Sequence, residues 1–318
     1  MQIRKRADKI DYDDELSKKA PVNMSLSFKN YKPPEDYKHV SEFLIKHYQP
    51  GNRDGNWLEP AWEYMHGHPA LEPQHLDTIG IWEENGEIVA VAHYEWHLGE
   101  AFFQFRPGYE FLRVEMLNYA EANLSAPDGT LHAFVNNTDD DFTALVRGRG
   151  YTHKPEEDRP LARFDIPHPF PEITLPQSFR LLSLADEPDW GKVHKVMWRG
   201  FKHGEVKEIT AEDMAIRRKM FDTITARRDL KVVVAAPNGE FVAICGMFYQ
   251  PEGHYGYVEP VATDPDYRRM GLGKAVVLEG IRRCAELGAV EAFVGSNQAF
   301  YLALGFEVQT VSQCWCHT

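Results

Sequence analysis

Cysteine is scarce in this chain of 318 residues, which has four, at positions 245, 284, 314 and 316. So few thiols do not make a disulfide framework, and this predicts a reducing environment such as the cytoplasm. Cys314 and Cys316 would share one face of a strand, but neither a second cysteine pair nor a histidine cluster accompanies them. We therefore predict ordinary packing for these thiols and no metal site.

Long hydrophobic runs are also missing. No segment reaches the roughly 18 apolar residues that a membrane-spanning helix needs, although hydrophobic residues make up an ordinary 43% of the chain. The basic residues 4–6 are followed by acidic residues at 11–15, not by an apolar signal core. We therefore expect no membrane partner and a cytoplasmic location.

Positive charge is in the minority. The chain has 35 Lys and Arg against 48 Asp and Glu, a formal net charge of −13. Proteins that bind nucleic acid normally present a basic surface, so we expect no nucleic-acid partner. An acidic surface favours a cationic ligand such as an amine, although it also serves solubility.

What the chain does contain is a strand, a tight turn and a helix in immediate succession, over residues 254–287. Gly271 and Gly273 let the backbone turn without a Cβ clash, and helical periodicity follows from Lys274. N–H groups at the start of such a helix point the same way and the helix dipole adds positive potential, so the turn suits a phosphate or pyrophosphate. The spacing Arg-x-x-Gly-x-Gly differs from both the P-loop and the dinucleotide-binding motif.

This stretch resembles the acyl-CoA pyrophosphate loop of the GNAT N-acetyltransferase superfamily. Arg268-x-x-Gly271-x-Gly273 carries the resemblance, and residues 297–306 resemble the closing segment of the family, with Tyr301 four residues before Gly305. The strand before the loop, the helix after it and the later tyrosine make the match specific. A structural turn with surface arginines is the simpler alternative.

The resemblance implies acetyl-CoA or coenzyme A as co-substrate and no metal. The N–H groups of residues 269–274, with nearby cations, would hold the pyrophosphate, and the strand before the loop would pair with the pantetheine arm. The residues expected to bind the cofactor are Val261, Ala262, Thr263, Arg268, Arg269, Met270, Gly271, Leu272, Gly273, Lys274 and Asn297.

Two residues are candidates for proton transfer. A carboxylate at Glu259, its pKa raised in a partly dry cleft, can deprotonate the amine, and Tyr301 would protonate the leaving thiolate. Some family members carry the base two residues earlier, where this chain has Tyr257, so His254 is a second candidate. A structural salt bridge at Glu259 and core packing at Tyr301 are the alternatives. Asn297 would cap the short helix or bond the pantetheine.

The second part of the chain repeats the first. Asn85-Gly86-Glu87 answers Asn238-Gly239-Glu240, Ala133-Phe134-Val135 answers Ala292-Phe293-Val294, and Gly150-Tyr151 answers Gly305-Phe306. Three matches in order predict two copies of one fold.

The predicted division is an N-terminal arm (1–25), a degenerate GNAT-like domain (26–165), a proline-rich linker (166–177) and an acyl-CoA-binding GNAT domain (178–318). The predicted fold class is α/β, of the α+β type: two tandem GNAT-like domains, each a mixed, mostly antiparallel twisted sheet flanked by helices.

Only the second copy is expected to be active. At the place of the loop the first copy has residues 105–110, in which Pro107 has no N–H to donate and Glu110 brings negative charge. Val146 takes the place of Tyr301. We expect the first copy to wall the acceptor site. A diverged ligand site of its own is the alternative, lined by Trp57, Trp62, Tyr94, Trp96 and His97.

The sequence thus predicts an acyl-CoA-dependent N-acyltransferase, with acetyl-CoA as the default donor, that acts on a primary amine of a small molecule or peptide. A non-catalytic acyl-CoA-binding or regulatory protein is one alternative, and an acyltransferase resembling mycothiol synthase is another. The acceptor stays open, and either a monomer or a homodimer is compatible with the sequence.

Overall fold

Residues 26–318 are described by a computed structural model of the chain, and the predicted N-terminal arm, residues 1–25, lies outside the described residues. We call residues 26–165 the N-terminal half. Its elements are β1 (Leu26–Asn30), α1 (Glu35–His47), α2 (Glu59–Gly67), β2 (Gly80–Glu84), β3 (Glu87–His93), β4 (Glu100–Phe105), α3 (Arg113–Asn123), β5 (Leu131–Asn136), α4 (Asp140–Gly148), β6 (Thr152–His153) and β7 (Arg159–Asp165).

We call residues 178–318 the C-terminal half. Its elements are β8 (Arg180–Ser183), α5 (Trp190–Gly200), α6 (Ala211–Phe221), β9 (Lys231–Ala235), β10 (Phe241–Gln250), β11 (Tyr255–Thr263), α7 (Leu272–Glu286), β12 (Glu291–Val294), α8 (Ala299–Leu302) and β13 (Glu307–His317). Short 3₁₀ turns occur in both halves, at Pro73–Thr78, Glu110–Leu112, Pro155–Glu157, Arg228–Leu230 and Pro265–Tyr267.

Local side chains determine where several elements begin. Asp139 and Asp189 cap α4 and α5 by accepting hydrogen bonds from N–H groups of the first turn, and Thr210 starts α6 with a capping box. The turn between β2 and β3 has positive φ at both Asn85 (53°) and Gly86 (81°), the geometry that two-residue hairpins favour.

The two halves share one order of pairing. In the N-terminal half β4 and β5 pair in parallel, with Phe102 opposite Phe134, and in the C-terminal half β11 and β12 do the same, with Tyr257 opposite Phe293. The end of α4 and the end of α8 also match. The backbone N–H of Tyr151 donates to the Val146 carbonyl, and the backbone N–H of Phe306 donates to the Tyr301 carbonyl, both at 3.1 Å.

The thirteen strands of the described residues form one sheet. Its order is β1-β2-β3-β4-β5-β13-β7-β12-β11-β10-β9-β8, with β6 paired to β13 off this path. The last strand of each half is therefore exchanged: β13 pairs with β5 of the N-terminal half, and β7 pairs with β12 of the C-terminal half. The predicted domain boundaries at 165 and 178 stay a prediction, since one sheet crosses them.

The hydrophobic cores show the same exchange. Trp315, on β13, packs into the core of the N-terminal half. Ala162 and Phe164, on β7, pack into the core of the C-terminal half. A third cluster joins the halves and includes Leu58 and Tyr64 from one side. Each half thus buries apolar surface that the other half supplies.

The segment predicted as a linker, residues 166–177, has no helix or strand. It is not a free spacer, because Ile166, Phe170, Ile173 and Leu175 pack against the core of the C-terminal half. The segment runs past the start of α7, where residues 172–176 line a groove with Met270 and Lys274.

Among residues 26–318, none of the helices combines the length and the apolar character needed to cross a lipid bilayer.

Candidate active site

A cleft opens where β11 and β12 stop pairing. Residues 255–257 pair in parallel with residues 291–293, and the described sheet carries no β11–β12 pair beyond them. From Val258 onward β11 is held by β10 alone, so its other edge faces the gap. We call this space the strand cleft. It has a volume of about 880 Å³ and lies between β11, the loop 264–271, the start of α7 and residues 294–301.

The loop presents a row of free amides to the strand cleft. Within residues 26–318, none of the six backbone N–H groups from Arg269 to Lys274 donates a hydrogen bond. Gly271 stands at the start of α7 with φ 81°, a left-handed conformation that favours glycine. The dipole of the 15-residue helix α7 adds positive potential at this point. The arrangement is suited to binding an anion.

A half-buried arginine holds the loop in place. Arg199, at the end of α5, donates from Nε to Asp264 Oδ2 at 2.7 Å and from Nη2 to Asp266 Oδ2 at 2.6 Å. The Asp264 carboxylate, which also accepts from the Asp266 N–H at 3.0 Å, is the main reason why the pKa of Arg199 is raised. Arg268 adds a second tie, from Nη2 to the Gly200 carbonyl at 2.9 Å. The loop is thus organised before any ligand arrives.

Gly273 is required by close packing. A Cβ atom at this position would lie 3.0 Å from Oγ1 of Thr263 and 3.4 Å from the Phe300 ring. The absence of a side chain lets α7 approach both β11 and α8. The loop, the strand and the short helix therefore meet around one space.

Glu259 lies deep in the structure, on the β11 edge of the strand cleft. Burial, and then the nearby carboxylate of Glu95, raise the pKa of Glu259 to about 8. The Glu259 side chain is still partly accessible, because it faces open space instead of packed atoms. Within residues 26–318 no hydrogen bond or ion pair involves its carboxylate. A carboxylate in this environment can take up a proton near neutral pH.

Tyr301 lies across the cleft, on α8. Its ring is 8% exposed and packs against Phe300 and Phe306, at ring-centroid distances of 4.9 and 5.8 Å. Burial raises the pKa of its hydroxyl, so the phenol stays protonated. The hydroxyl makes no hydrogen bond to the described residues, although the ring lines the cleft. It is free to donate to a group bound there.

A second space lies between the two halves. This central cavity has a volume of about 250 Å³. The N-terminal half contributes Trp57, Glu95, Trp96 and Phe102 to its lining, and the C-terminal half contributes Tyr257 and Glu259. Glu259 and Gly295 line both the central cavity and the strand cleft. The two spaces therefore adjoin at Glu259.

Comparison with known proteins agrees with this geometry. Residues 192–306 match the model of the acetyltransferase (GNAT) family. This part of the chain is therefore similar to a GNAT domain. A glucosamine 6-phosphate N-acetyltransferase of Trypanosoma brucei brucei is 31% identical to the chain over 84 residues, which are 24% of this chain and 57% of that protein. The match thus spans just over half the length of that relative.

Solved structures share the fold of most of the chain. A GCN5-related N-acetyltransferase from Sphaerobacter thermophilus superposes with a TM-score of 0.59 at 14% identity, covering 92% of this chain and 95% of the other. A tandem GNAT protein from the clavulanic acid biosynthesis pathway gives 0.58 at 12% identity, covering 92% and 98%. At these identities the likeness concerns the fold alone. It confirms the predicted fold class, a mixed sheet flanked by helices.

Most residues that the sequence predicts for the site meet in the strand cleft. Glu259 and Tyr301 lie on opposite sides of it. The predicted cofactor-binding residues that line it are Val261, Ala262, Thr263, Arg268, Arg269, Gly271, Leu272, Gly273 and Lys274.

Three candidates lie elsewhere. Met270 lines the groove that residues 172–176 form beside the start of α7, and it does not line the strand cleft. The expected cap at Asn297 is wrong, because α8 begins after Gln298 and has no side-chain cap, and Asn297 is exposed outside the cleft lining. His254 lies exposed in the turn before β11 and lines neither space, since the strand starts only at Tyr255.

Sequence reasoning missed several contributors to the site, Phe201 and Lys202 among them. Arg199 and Glu95 come from distant positions, and Ser296 and Gln298 line the cleft beside Tyr301. Of the five aromatic candidates in the N-terminal half, Trp57 and Trp96 line the central cavity.

The N-terminal half lacks the equivalents of the two proton-transfer candidates. From the strand register, Gln104 occupies the position of Glu259; its side chain accepts from the Trp57 N–H at 2.6 Å and lies 3.0 Å from His93 Nε2. Val146 is fully buried at the position of Tyr301. Both places are filled by internal contacts.

The cysteine near the C-terminus has polar neighbours that the sequence did not suggest. His132, Glu157 and Cys314 bring one ligand-type atom each within 4.8 Å of one another. His132 Nδ1 lies 2.9 Å from the Glu157 carboxylate, and the Cys314 thiol donates to the same carboxylate at 3.6 Å. Burial raises the pKa of the Cys314 thiol to about 12, so the thiol keeps its proton and can donate to Glu157.

Proposed function

We propose that this chain is an acyl-CoA-dependent N-acyltransferase, with acetyl-CoA as donor, that transfers the acyl group directly to a primary amine. The donor would bind in the strand cleft, and the acceptor amine would bind in the central cavity. The family match of residues 192–306 and the geometry around Glu259 support this proposal.

The free amides from Arg269 to Lys274 would bind the pyrophosphate of the donor. Arg269 and Lys274 are exposed at the cleft and add positive charge, whereas Arg268 is already engaged with the Gly200 carbonyl. The pantetheine arm would run along the open edge of Val261 to Thr263 as an extra strand. Pro260 has no N–H, so oxyanion stabilisation by a main-chain donor would come from Val261 onward.

Glu259 would act as the base. The acceptor enters as an ammonium ion, its proton passes to the Glu259 carboxylate directly or through water, and the free amine attacks the thioester carbonyl carbon. When the tetrahedral intermediate collapses, the C–S bond breaks and the coenzyme A thiolate leaves. Tyr301 would donate its phenolic proton to that sulfur, and the second proton lost by the former amine nitrogen would pass through solvent to restore the neutral tyrosine.

The strongest support for this function is that Glu259 lines both the strand cleft and the central cavity. A group that must touch the acceptor nitrogen next to the thioester has to lie where the two reactants meet. The retention of this carboxylate and of Tyr301 also argues against a protein that only binds acyl-CoA, because binding requires neither residue.

The test measures donor binding and turnover separately. Acetyl-CoA should give a saturable rise in melting temperature, and free thiol should appear when a panel of primary amines is added. Lys274→Glu should weaken donor binding by placing a carboxylate at the anion site. Lys38→Glu, the same change at a side chain that is 78% exposed on α1, should leave donor binding unchanged. If acetyl-CoA causes no saturable shift, the proposal is wrong.

A further inference from the structure

The central cavity has a chemical character that narrows the acceptor. We infer that it binds a compact primary amine with a flat, apolar body and no phosphate or carboxylate group, and that Glu95 of the N-terminal half positions its ammonium group beside Glu259. This inference rests on the proposed function in assigning the acceptor to this cavity, but the binding it describes can be measured without turnover.

The charges in the cavity favour a single positive group. Its ionisable lining consists of Glu95, Glu259 and Arg159. Arg159 is shared already, because its guanidinium lies 3.8 Å from Glu95 and 3.5 Å from the buried Glu100. The sum over these three groups is negative above about pH 8, where both carboxylates are ionised. An ammonium ion would be stabilised there, whereas a phosphate or carboxylate would be repelled.

Glu95 has few partners for a carboxylate in such a position. Its 21% exposed side chain makes no hydrogen bond to the described residues, and the contact with Arg159, at 3.8 Å, is too long to be one. Burial raises the pKa of Glu95 to about 7, and Glu100 adds to the rise. A carboxylate that is desolvated and poorly paired in a cavity gains most from a cationic ligand.

Five aromatic side chains, Trp57, Tyr64, Trp96, Phe102 and Tyr257, line the cavity beside polar ones such as Asn52, Asn56, Thr310 and Ser312. Phe102 stacks on Phe134 with centroids 4.3 Å apart and planes 2° from parallel, and Trp57 packs edge-on against Phe102 at 4.9 Å. Trp96 packs against Tyr64, with centroids 6.4 Å apart. Flat walls braced in this way suit a ring or a short alkyl chain, and their faces also attract cations. The volume of about 250 Å³ limits the ligand to a small one.

These features separate the chain from its named relative. The Trypanosoma brucei brucei protein is called a glucosamine 6-phosphate N-acetyltransferase. A sugar phosphate needs a free cation, and the described lining of the central cavity offers one arginine, which is paired with two glutamates. The relative and this chain should therefore differ in acceptor.

The first experiment measures binding with a matched pair of ligands. 2-Phenylethylamine and 3-phenylpropionic acid have the same flat body and opposite charge. In the full-length protein saturated with coenzyme A, the amine should quench tryptophan fluorescence saturably, because Trp57 and Trp96 line the cavity. The acid should not. Equal binding of both ligands, or of the acid alone, would overturn the inference.

The second experiment uses variants. Glu95→Gln keeps the shape of the side chain and should raise the KM and Kd for 2-phenylethylamine at least tenfold while the KM for acetyl-CoA stays unchanged. Glu72→Gln, at an exposed carboxylate of the same half that is 3.8 Å from His75, is the control and should change neither value. Unchanged amine affinity in Glu95→Gln would exclude the role given to this residue.

The two proposals can fail separately. If acetyl-CoA binds and glucosamine 6-phosphate is acetylated faster than 2-phenylethylamine, the acceptor inference is wrong and the proposed function stands. If the amine binds in a Glu95-dependent manner but no thiol is released, the cavity has the inferred ligand and the proposed function is wrong.

Discussion

The backbone N–H of Gly108 donates a hydrogen bond to the carboxylate of Glu110 at 3.0 Å. This contact lies in the strand-to-helix connection of the N-terminal half, in the same place in the repeat as the loop before α7. The first connection thus satisfies its own amide with its own carboxylate. The second leaves its amides open to a ligand, so we expect an anion to bind in the C-terminal half and not in the N-terminal half.

A pair of glycine substitutions tests this difference. Gly271 and Gly108 have φ of 81° and 93°, and neither would place a Cβ within 4 Å of another group. Alanine at either site should therefore cost a similar strain, about 1–2 kcal/mol. Gly271→Ala should also weaken acetyl-CoA binding, measured by calorimetry, because the free amides change direction. Gly108→Ala is the control. If both variants bind acetyl-CoA equally well, the loop before α7 is not the donor site.

Local patterns in the sequence were sufficient to predict where the loop before α7 and Tyr301 would lie. The residues that build the loop are consecutive, and the hydrogen bond from Phe306 to Tyr301 spans five residues. Backbone preferences within such a short segment do not depend on the rest of the chain. The repeat was also readable, because hairpin turns such as Asn85-Gly86 have few alternatives.

Long-range contacts were not predictable in this way. The sequences of β7 and β13 do not reveal that these strands are exchanged between the halves. Each strand has apolar residues that it could bury equally well beside any neighbouring strand. Glu95 and Glu259 are 164 positions apart, the difference between their numbers, and only the folded sheet brings them to one cavity. The sequence predicted a pKa of Glu259 raised by burial, but it gave no signal for the further rise that Glu95 contributes.

The pH dependence of turnover should report Glu259. A base with a pKa of about 8 is ionised only at higher pH, so kcat/KM should rise with pH and level off above about 8. Glu259→Gln should lower kcat roughly 10²- to 10⁴-fold. Glu95→Gln removes the neighbouring negative charge, so the rising limb should move to lower pH. A profile that is identical in Glu95→Gln and the native protein would contradict this assignment.

Removal of the Tyr301 hydroxyl should slow the release of coenzyme A. Tyr301→Phe keeps the ring that packs between Phe300 and Phe306, so folding and the KM for acetyl-CoA should be preserved. The kcat should fall roughly 10²-fold, since the thiolate leaves without a proton donor. Tyr249→Phe removes a hydroxyl that donates to the Leu287 carbonyl, away from the cleft, and should leave kcat unchanged. Equal kcat in Tyr301→Phe and Tyr249→Phe would exclude the acid.

Glu259 should also make the ligand-free protein less stable at high pH. Its folded pKa of about 8 lies above the ordinary value of 4.5. The stability contributed by the protonated form is complete below pH 4.5, declines as the pH rises, and is lost above pH 8. Glu259→Gln stays neutral throughout. Its melting temperature should match the native protein near pH 4.5 and exceed it above pH 8; a constant difference would contradict burial of this charge.

The exchanged strands should couple the stability of the two halves. Trp315 belongs to the C-terminal half by sequence but packs in the core of the N-terminal half, and Phe164 does the reverse, 5.3 Å from Phe306. Trp315→Ala should therefore cost about 3–5 kcal/mol and speed hydrogen exchange first in β3 and β5. Phe164→Ala should speed hydrogen exchange first in β10 and β12.

Val308→Ala is the control for these two variants. Val308 lies on the same strand as Trp315 but is 42% exposed, so its substitution should change hydrogen exchange in neither half. The decisive measurement is which peptides lose protection. If Trp315→Ala loosened only strands of the C-terminal half, β13 would have to pack with its own half, as an unexchanged repeat requires. Faster exchange in β3 and β5 follows only when the last strand of one half completes the core of the other.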